Sequence, residues 1–175
     1  MIKRILEDSQ SMRLAVIMAF ALLILSAMLY SPSLPADFIL DANTVIKKNP
    51  IIKQPALYGR IFTDNFFSAY KEPMARSFYY YRPIPVLTFV DDYQMWHLKP
   101  FGYRLINILL HAFNSWLVFL LVFGLFRRKE LAAVSGIIFC LLPIHESVIN
   151  DITTRCDLHQ AYFSLLALVS WRLHL

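Results

Sequence analysis

The stretch DFILDANTVIKKNP, residues 37 to 50, places an acidic side chain, Asp41, directly after Phe38-Ile39-Leu40. A carboxylate there has two uses: it caps a turn at a helix start, or it serves as a base held just above a bilayer. Three further acids, Glu146, Asp151 and Asp157, share a later polar connection with His145 and Arg155, and Arg82 stands before Pro83 between the two regions. A base that deprotonates a hydroxyl, joined by cations that bind a phosphate or pyrophosphate headgroup, is the minimum set for glycosyl transfer from a lipid-linked donor. Turn formation and solvated charge are the commoner uses of such acids beside a membrane.

Positioning these groups requires elements that the composition describes. Hydrophobic residues make up 58% of the 175 positions, above the usage of an ordinary soluble domain, and they are gathered into long runs. That pattern predicts an all-α polytopic membrane protein. Lys and Arg outnumber Asp and Glu by 17 to 12, but they form no solvent-facing stripe, so nucleic acid is not an expected partner and the charge reads as topology information. Cys140 lies in an apolar run and Cys156 in a polar one, without Cys-x-x-Cys spacing. Neither a disulfide scaffold nor a thiolate metal site follows.

Residues 1–13, with Lys3, Arg4 and Arg13, read as a cytoplasmic N-terminus, and 14–30 as the first span. The segment 31–100 is then an exported loop, rich in aromatics such as Phe66-Phe67, Phe78-Tyr79-Tyr80-Tyr81 and Trp96. Within it, residues 56–69 suggest one short amphipathic helix, and Pro83 suggests the start of another that runs toward Trp96. The second span is 101–126. Its Arg104, Asn107, His111 and Asn114 are spaced three, four and three apart, which puts them on one helical face that must meet protein or water. Arg127-Arg128-Lys129 marks a cytoplasmic turn over 127–130, followed by a third span over 131–144, an exported loop over 145–159, and the start of a fourth span over 160–175. Four such runs offer few faces to shelter the polar stripe, so the chain is expected to be the N-terminal piece of a larger protein. The topology puts Asp41, Glu146, Asp151 and Asp157 on one side of the membrane.

One region carries more than composition. Tyr81-Arg82-Pro83, Asp92-Tyr93, Leu98-Lys99-Pro100-Phe101-Gly102-Tyr103 and Asn107-Ile108-Leu109-Leu110-His111-Ala112-Phe113-Asn114 resemble the first-loop and second-span region of GT-C type membrane glycosyltransferases. The group includes the transmembrane O-mannosyltransferases that act on cadherins, often with C-terminal tetratricopeptide repeats. Asp41 and Asn49-Pro50 keep that family's spacing, while Ala42 stands where the family has a second Asp. Pro143-Ile144-His145 and Arg155-Cys156-Asp157-Leu158 fit its second-loop pattern, with Glu146 one place early.

The resemblance implies the N-terminal part of a GT-C fold with a large first exported loop, and an inverting hexosyl or mannosyl transferase. Its lipid-linked donor would be a polyprenyl-phosphate or dolichyl-phosphate sugar, its acceptor a hydroxyl on an unspecified protein or glycan, and its surroundings the lipid bilayer. Asp41 takes the catalytic or metal-facing role, which leaves a divalent cation open as a helper. Glu146 is the second catalytic candidate, and Arg82, His145 and Arg155 are the donor-phosphate candidates. A bacterial inner membrane with both loops periplasmic is the expected setting. The competing expectation is a degenerate or truncated module without catalysis, which assembles with other helices. His111, with Asn107 and Asn114, is expected to make interhelical hydrogen bonds.

Overall fold

The computed structural model describes residues 9–69 and 80–174. Lys3 and Arg4, the expected basic flank of the first span, and Phe78-Tyr79 lie outside the described residues. Every regular element among the described residues is helical. The first, α1 (Ser9–Tyr30), starts ahead of the apolar run at Leu14. Its 22 residues reach about 33 Å at 1.5 Å per residue, enough for a hydrocarbon core of about 30 Å. Ala15, Met18, Leu22, Ser26 and Tyr30 are buried along one face, while Ile17, Phe20, Ile24 and Met28 are exposed on the others. In a bilayer, that apolar exposure is lipid contact.

The segment that follows α1 folds into a cap with its own core. Asn43–Lys47 forms a π-helical turn, α2 (Pro50–Lys53) is capped by Asn49, whose Oδ1 accepts from the Ile51 amide at 3.0 Å, and Pro55–Phe62 is a 3-10 helix. The short helix expected over 56–69 is therefore tighter and ends sooner. Beyond it the Asn65 side chain accepts from the Phe67 amide at 3.0 Å and turns the chain. The helix expected from Pro83 is present as α3 (Pro83–Trp96). Val45, Ile46, Ile52, Phe66, Val86 and Phe89 bury together in this cap.

A tight corner joins α3 to α4 (Pro100–Phe126). Pro100 opens α4 at a position where its missing N–H is not needed, and the Tyr103 hydroxyl donates to the His97 carbonyl at 2.9 Å. The Trp96 ring lies directly on Gly102: a Cβ there would sit 2.1 Å from the ring. Gly102→Ala must therefore swing Trp96 out of its place, and we expect a loss of about 1–3 kcal/mol of stability, the usual cost of overpacking. Unfolding in detergent, followed by Trp fluorescence, measures it; an unchanged midpoint would contradict this packing.

Three helices pack on α4: α1, α5 (Lys129–Leu141) and α7 (Arg155–His174). Gly136 of α5 lets them close, since a Cβ there would come within 3.1 Å of the Phe119 Cβ and 3.2 Å of the Ser115 carbonyl; small residues serve this purpose in membrane bundles. Leu142 is extended, as expected before Pro143, so α5 stops there. The chain resumes at an angle of 46° through Pro143–Asn150, which includes α6 (Glu146–Asn150). Among the described residues, α1 with its 3-10 extension and α4 are long and apolar enough to cross a membrane, and the bent pair makes a third if it counts as one span. The third run, expected over 131–144, holds a helix that ends at Leu141, just before Pro143, and α7 does not meet the same test. Among its described residues the chain is an all-helical membrane protein.

Candidate functional site

Asp41 precedes the π-helical turn and supplies its backbone carbonyl to the Thr44 and Val45 amides at 2.9 and 2.8 Å. The cap residue of that turn is Ala42, without a side-chain capping bond. Leu40, just before Asp41, has a φ of 48°, a left-handed conformation that costs a non-glycine residue about 1–2 kcal/mol; strain of this kind gathers where geometry serves function. Ala42 is fully buried in the apolar core of the cap. A second carboxylate would be desolvated there, so the position has adapted to its alanine.

Arg82 stands at the start of α3, its guanidinium 5.0 Å from the Tyr80 ring and 5.4 Å from the Phe66 ring. It lines a narrow cleft of about 10 Å³ with Asn49, Arg60, Asp64 and Asn65. Arg60 is a second guanidinium that the sequence did not single out, paired with Asp64 at 2.6 Å. The Asn-Pro motif therefore caps α2 and lends its Asn side chain to the same cleft as Arg82. Asp41 and Arg82 are mounted on one core, because Val45 of the turn and Val86 of α3 both belong to it. Arg82 also acts electrostatically on Cys156 near the start of α7; burial pushes that thiol up, against the pull of Arg82.

Below the cap, the polar stripe of α4 faces inward as its spacing required. Arg104, Asn107, His111 and Asn114 are all buried, and each meets backbone oxygen. Arg104 donates to the Ala36 and Asp37 carbonyls of the first loop and, at 3.3 Å, to Asn150 of the second. Asn107 donates to Ile149 at 3.2 Å, Asn114 to Leu158 at 3.0 Å, and His111 Nε2 lies 3.2 Å from the Cys140 carbonyl. Cys140, Ile149 and Asn150 stand at helix C-termini, where carbonyls lack partners within their own helix. The stripe satisfies the ends of the broken helix.

Arg155 corrects the sequence expectation. It is not presented to a donor phosphate but fully buried. Its Nη1 pairs with Asp92 at 2.5 Å and donates to the Thr88 hydroxyl at 3.1 Å. Its Nε donates to Asn107 Oδ1 at 2.7 Å and its Nη2 to the Tyr103 carbonyl at 2.8 Å, while the guanidinium lies 4.8 Å from the Phe89 ring. Burial pushes the Asp92 carboxyl above its usual range, and the adjoining guanidinium pulls it back. This hub ties α3 to α4 and α7. The sequence missed it because Asp92 and Thr88 come from α3, Tyr103 and Asn107 from α4 and Arg155 from α7, although an unassigned acid on a helix with a buried face was the available signal.

His145 also turns inward. Its ring is 4.9 Å from that of His111 and 4.5 Å from that of Phe139, an orientation for packing rather than for a donor phosphate. Glu146 beside it is exposed and lines a cavity of about 440 Å³ with Tyr30, Ser33 and Asn150. Asp151 accepts from the Thr153 amide and hydroxyl at 2.9 and 2.7 Å, a turn-forming use of its carboxylate. The structure thus brings Asp41 and Arg82 onto the cap, and His145 and Glu146 to the break in the helix. Among the described residues no group of three or more His, Cys, Asp or Glu is gathered to hold a metal ion.

No family model matches the chain, and no solved structure matches it at a significant level. Similarity to named proteins is extensive. The chain is 31% identical over 144 residues to the human protein O-mannosyl-transferase TMTC3, which covers 81% of this chain and 15% of that protein. Against protein O-mannosyl-transferase tmtc2 of Xenopus laevis it is 31% identical over 150 residues, 86% of this chain and 18% of the relative. Against protein O-mannosyl-transferase Tmtc1 of Drosophila melanogaster it is 29% identical over 153 residues, again 86% and 18%. The chain therefore spans less than a fifth of the length of these relatives. Over most of its own length, the chain is a homologue of the protein O-mannosyl-transferase TMTC group.

Proposed function

We propose that this chain is part of an inverting glycosyltransferase that moves a hexose, mannose by analogy with the relatives' names, from a polyprenyl-phosphate donor to an acceptor hydroxyl on the exported side of the membrane. The observation that carries this is the likeness to proteins named O-mannosyl-transferases over 81–86% of the chain. The GT-C fold, and tetratricopeptide repeats in the full-length protein, belong to the same proposal. The relatives named above are animal proteins, so they lend no support to a bacterial inner membrane, and the exported side is proposed without a particular membrane.

Asp41 takes the proton of the acceptor hydroxyl. The oxygen attacks the anomeric carbon from the face opposite the phosphate, the bond between that carbon and the phosphate oxygen breaks, and polyprenyl phosphate leaves with the electron pair. One displacement inverts the anomeric centre. Arg82, at the start of α3, offsets the charge on the departing phosphate. Glu146 contributes from the second loop, while Arg155 and His145 position elements and do not touch the donor. The strained backbone at Leu40 supports a functional use of the neighbouring carboxylate.

The full-length protein, supplied with a panel of polyprenyl-phosphate hexoses and a hydroxyl acceptor, is expected to release polyprenyl phosphate in step with acceptor glycosylation. Inertness toward the whole panel, with donor bound, would favour the non-catalytic module, which the buried alanine at position 42 also fits. Topology is tested separately. In a variant without Cys140 and Cys156, Lys48→Cys should react with an impermeant thiol reagent from the exported side, and Lys129→Cys should not. Equal reaction at both would overturn the side assigned to Asp41.

A further inference from the structure

The cavity at the helix break is distinct from the cleft beside Arg82. It lies where α1 ends and where α5 gives way to the bent Pro143–Asn150 segment, with Leu29 and Leu141 as apolar walls and Tyr30, Ser33, Glu146 and Asn150 as polar ones. Its volume, about 440 Å³, falls within the roughly 300–1,000 Å³ of small-molecule sites. Broken backbone next to a bilayer is tolerated where it lines a polar cavity, and discontinuous helices build many membrane binding sites.

The chemistry of the lining selects a ligand class. Glu146 is the one charged residue that lines the cavity, and its carboxylate only accepts hydrogen bonds. Asn150 lines it as well, its amide oxygen buried and without a hydrogen-bond partner among the described residues. With a fixed negative charge and no cation among the described residues of its walls, the cavity disfavours a phosphate and favours neutral hydroxyl donors. Its mixture of apolar walls and acceptor groups at the rim of the spans suits a sugar attached to something apolar.

We propose that this cavity binds a neutral pyranose ring through its hydroxyl groups, with Glu146 as the principal acceptor, and that it does not bind the phosphate. The proposal rests on the glycosyl-transfer reading only for the choice of a hexose. Two sources share the chemistry: the hexosyl end of the lipid-linked donor, and a sugar carried by the acceptor.

The test uses the full-length protein in lipid nanodiscs with two photoreactive probes of equal chain length, a diazirine-bearing octyl mannoside and a diazirine-bearing octyl phosphate. Peptides containing Tyr30 and Glu146 should be labelled by the mannoside and not by the phosphate. Glu146 is exposed, so Glu146→Gln should fold and should lower that labelling on the order of tenfold; Leu141→Trp, which fills the cavity from its wall, should abolish it. Excess polyprenyl-phosphate mannose displaces the probe if the donor supplies the ring, and a soluble mannosylated peptide displaces it if the acceptor does. Equal labelling by both probes, or mannoside labelling indifferent to both substitutions, would overturn the proposal. Asp41→Asn separates the two readings, because it should stop transfer and leave mannoside labelling intact.

Discussion

Arg155→Met is expected to cost about 3–5 kcal/mol of stability, because it leaves the Asp92 carboxylate buried without its partner. Methionine roughly keeps the volume, so the loss reports charge and hydrogen bonding rather than a cavity. Three further acceptors, Asn107 Oδ1, the Thr88 hydroxyl and the Tyr103 carbonyl, lose a donor at the same time. Adding Asp92→Leu should recover much of the cost, since replacing both members of a buried pair is often close to neutral. Recovery should be incomplete, because the other acceptors stay unsatisfied. Equilibrium unfolding of the four variants of this cycle in a mild detergent measures the coupling. A single substitution without effect would remove Arg155 from the core and return it to the list of phosphate ligands.

Asp41→Asn should lower turnover by roughly 10²–10⁴-fold, the usual worth of a positioned base. The asparagine keeps size and one acceptor oxygen but cannot take a proton. Donor affinity should change much less, since the phosphate is assigned to Arg82 and the prenyl chain to the membrane. That split separates chemistry from structure: a carboxylate needed only for the fold of the turn would lower stability and donor binding together. Asp41→Glu supplies the complementary check, retaining the charge about one methylene out of place and part of the rate.

The inward face of α4 was legible because spacings of three and four residues fix one side of a helix whatever else the chain does. What its side chains would meet was not legible. Most of their partners are main-chain carbonyls, at Ala36, Asp37, Cys140, Ile149, Asn150 and Leu158, which leave no mark in side-chain identity. The start of α3 was readable from Pro83 and the end of α5 from Pro143, for the reason that proline restricts its own backbone and that of the residue before it. The 46° bend that follows depends on how the broken ends are satisfied by another helix. Arg155 misled because an arginine two positions before an acid in a polar connection looks solvated. Its burial is decided by Asp92, whose approach requires the whole cap to fold onto α4. The helix expected over 56–69 failed on local chemistry, where Asn65 bonds its own backbone and competes with helix continuation.

The most direct measurement is single-turnover transfer of a labelled hexose by the full-length protein, with polyprenyl-phosphate hexose already bound and a hydroxyl acceptor added. Wild-type protein should yield one glycoside of inverted anomeric configuration per bound donor, and Asp41→Asn should hold the same amount of donor while transferring at least about a hundredfold more slowly. Retained configuration, or equal transfer rates for the two proteins at equal donor occupancy, would contradict the assignment of Asp41 as the base of an inverting transferase.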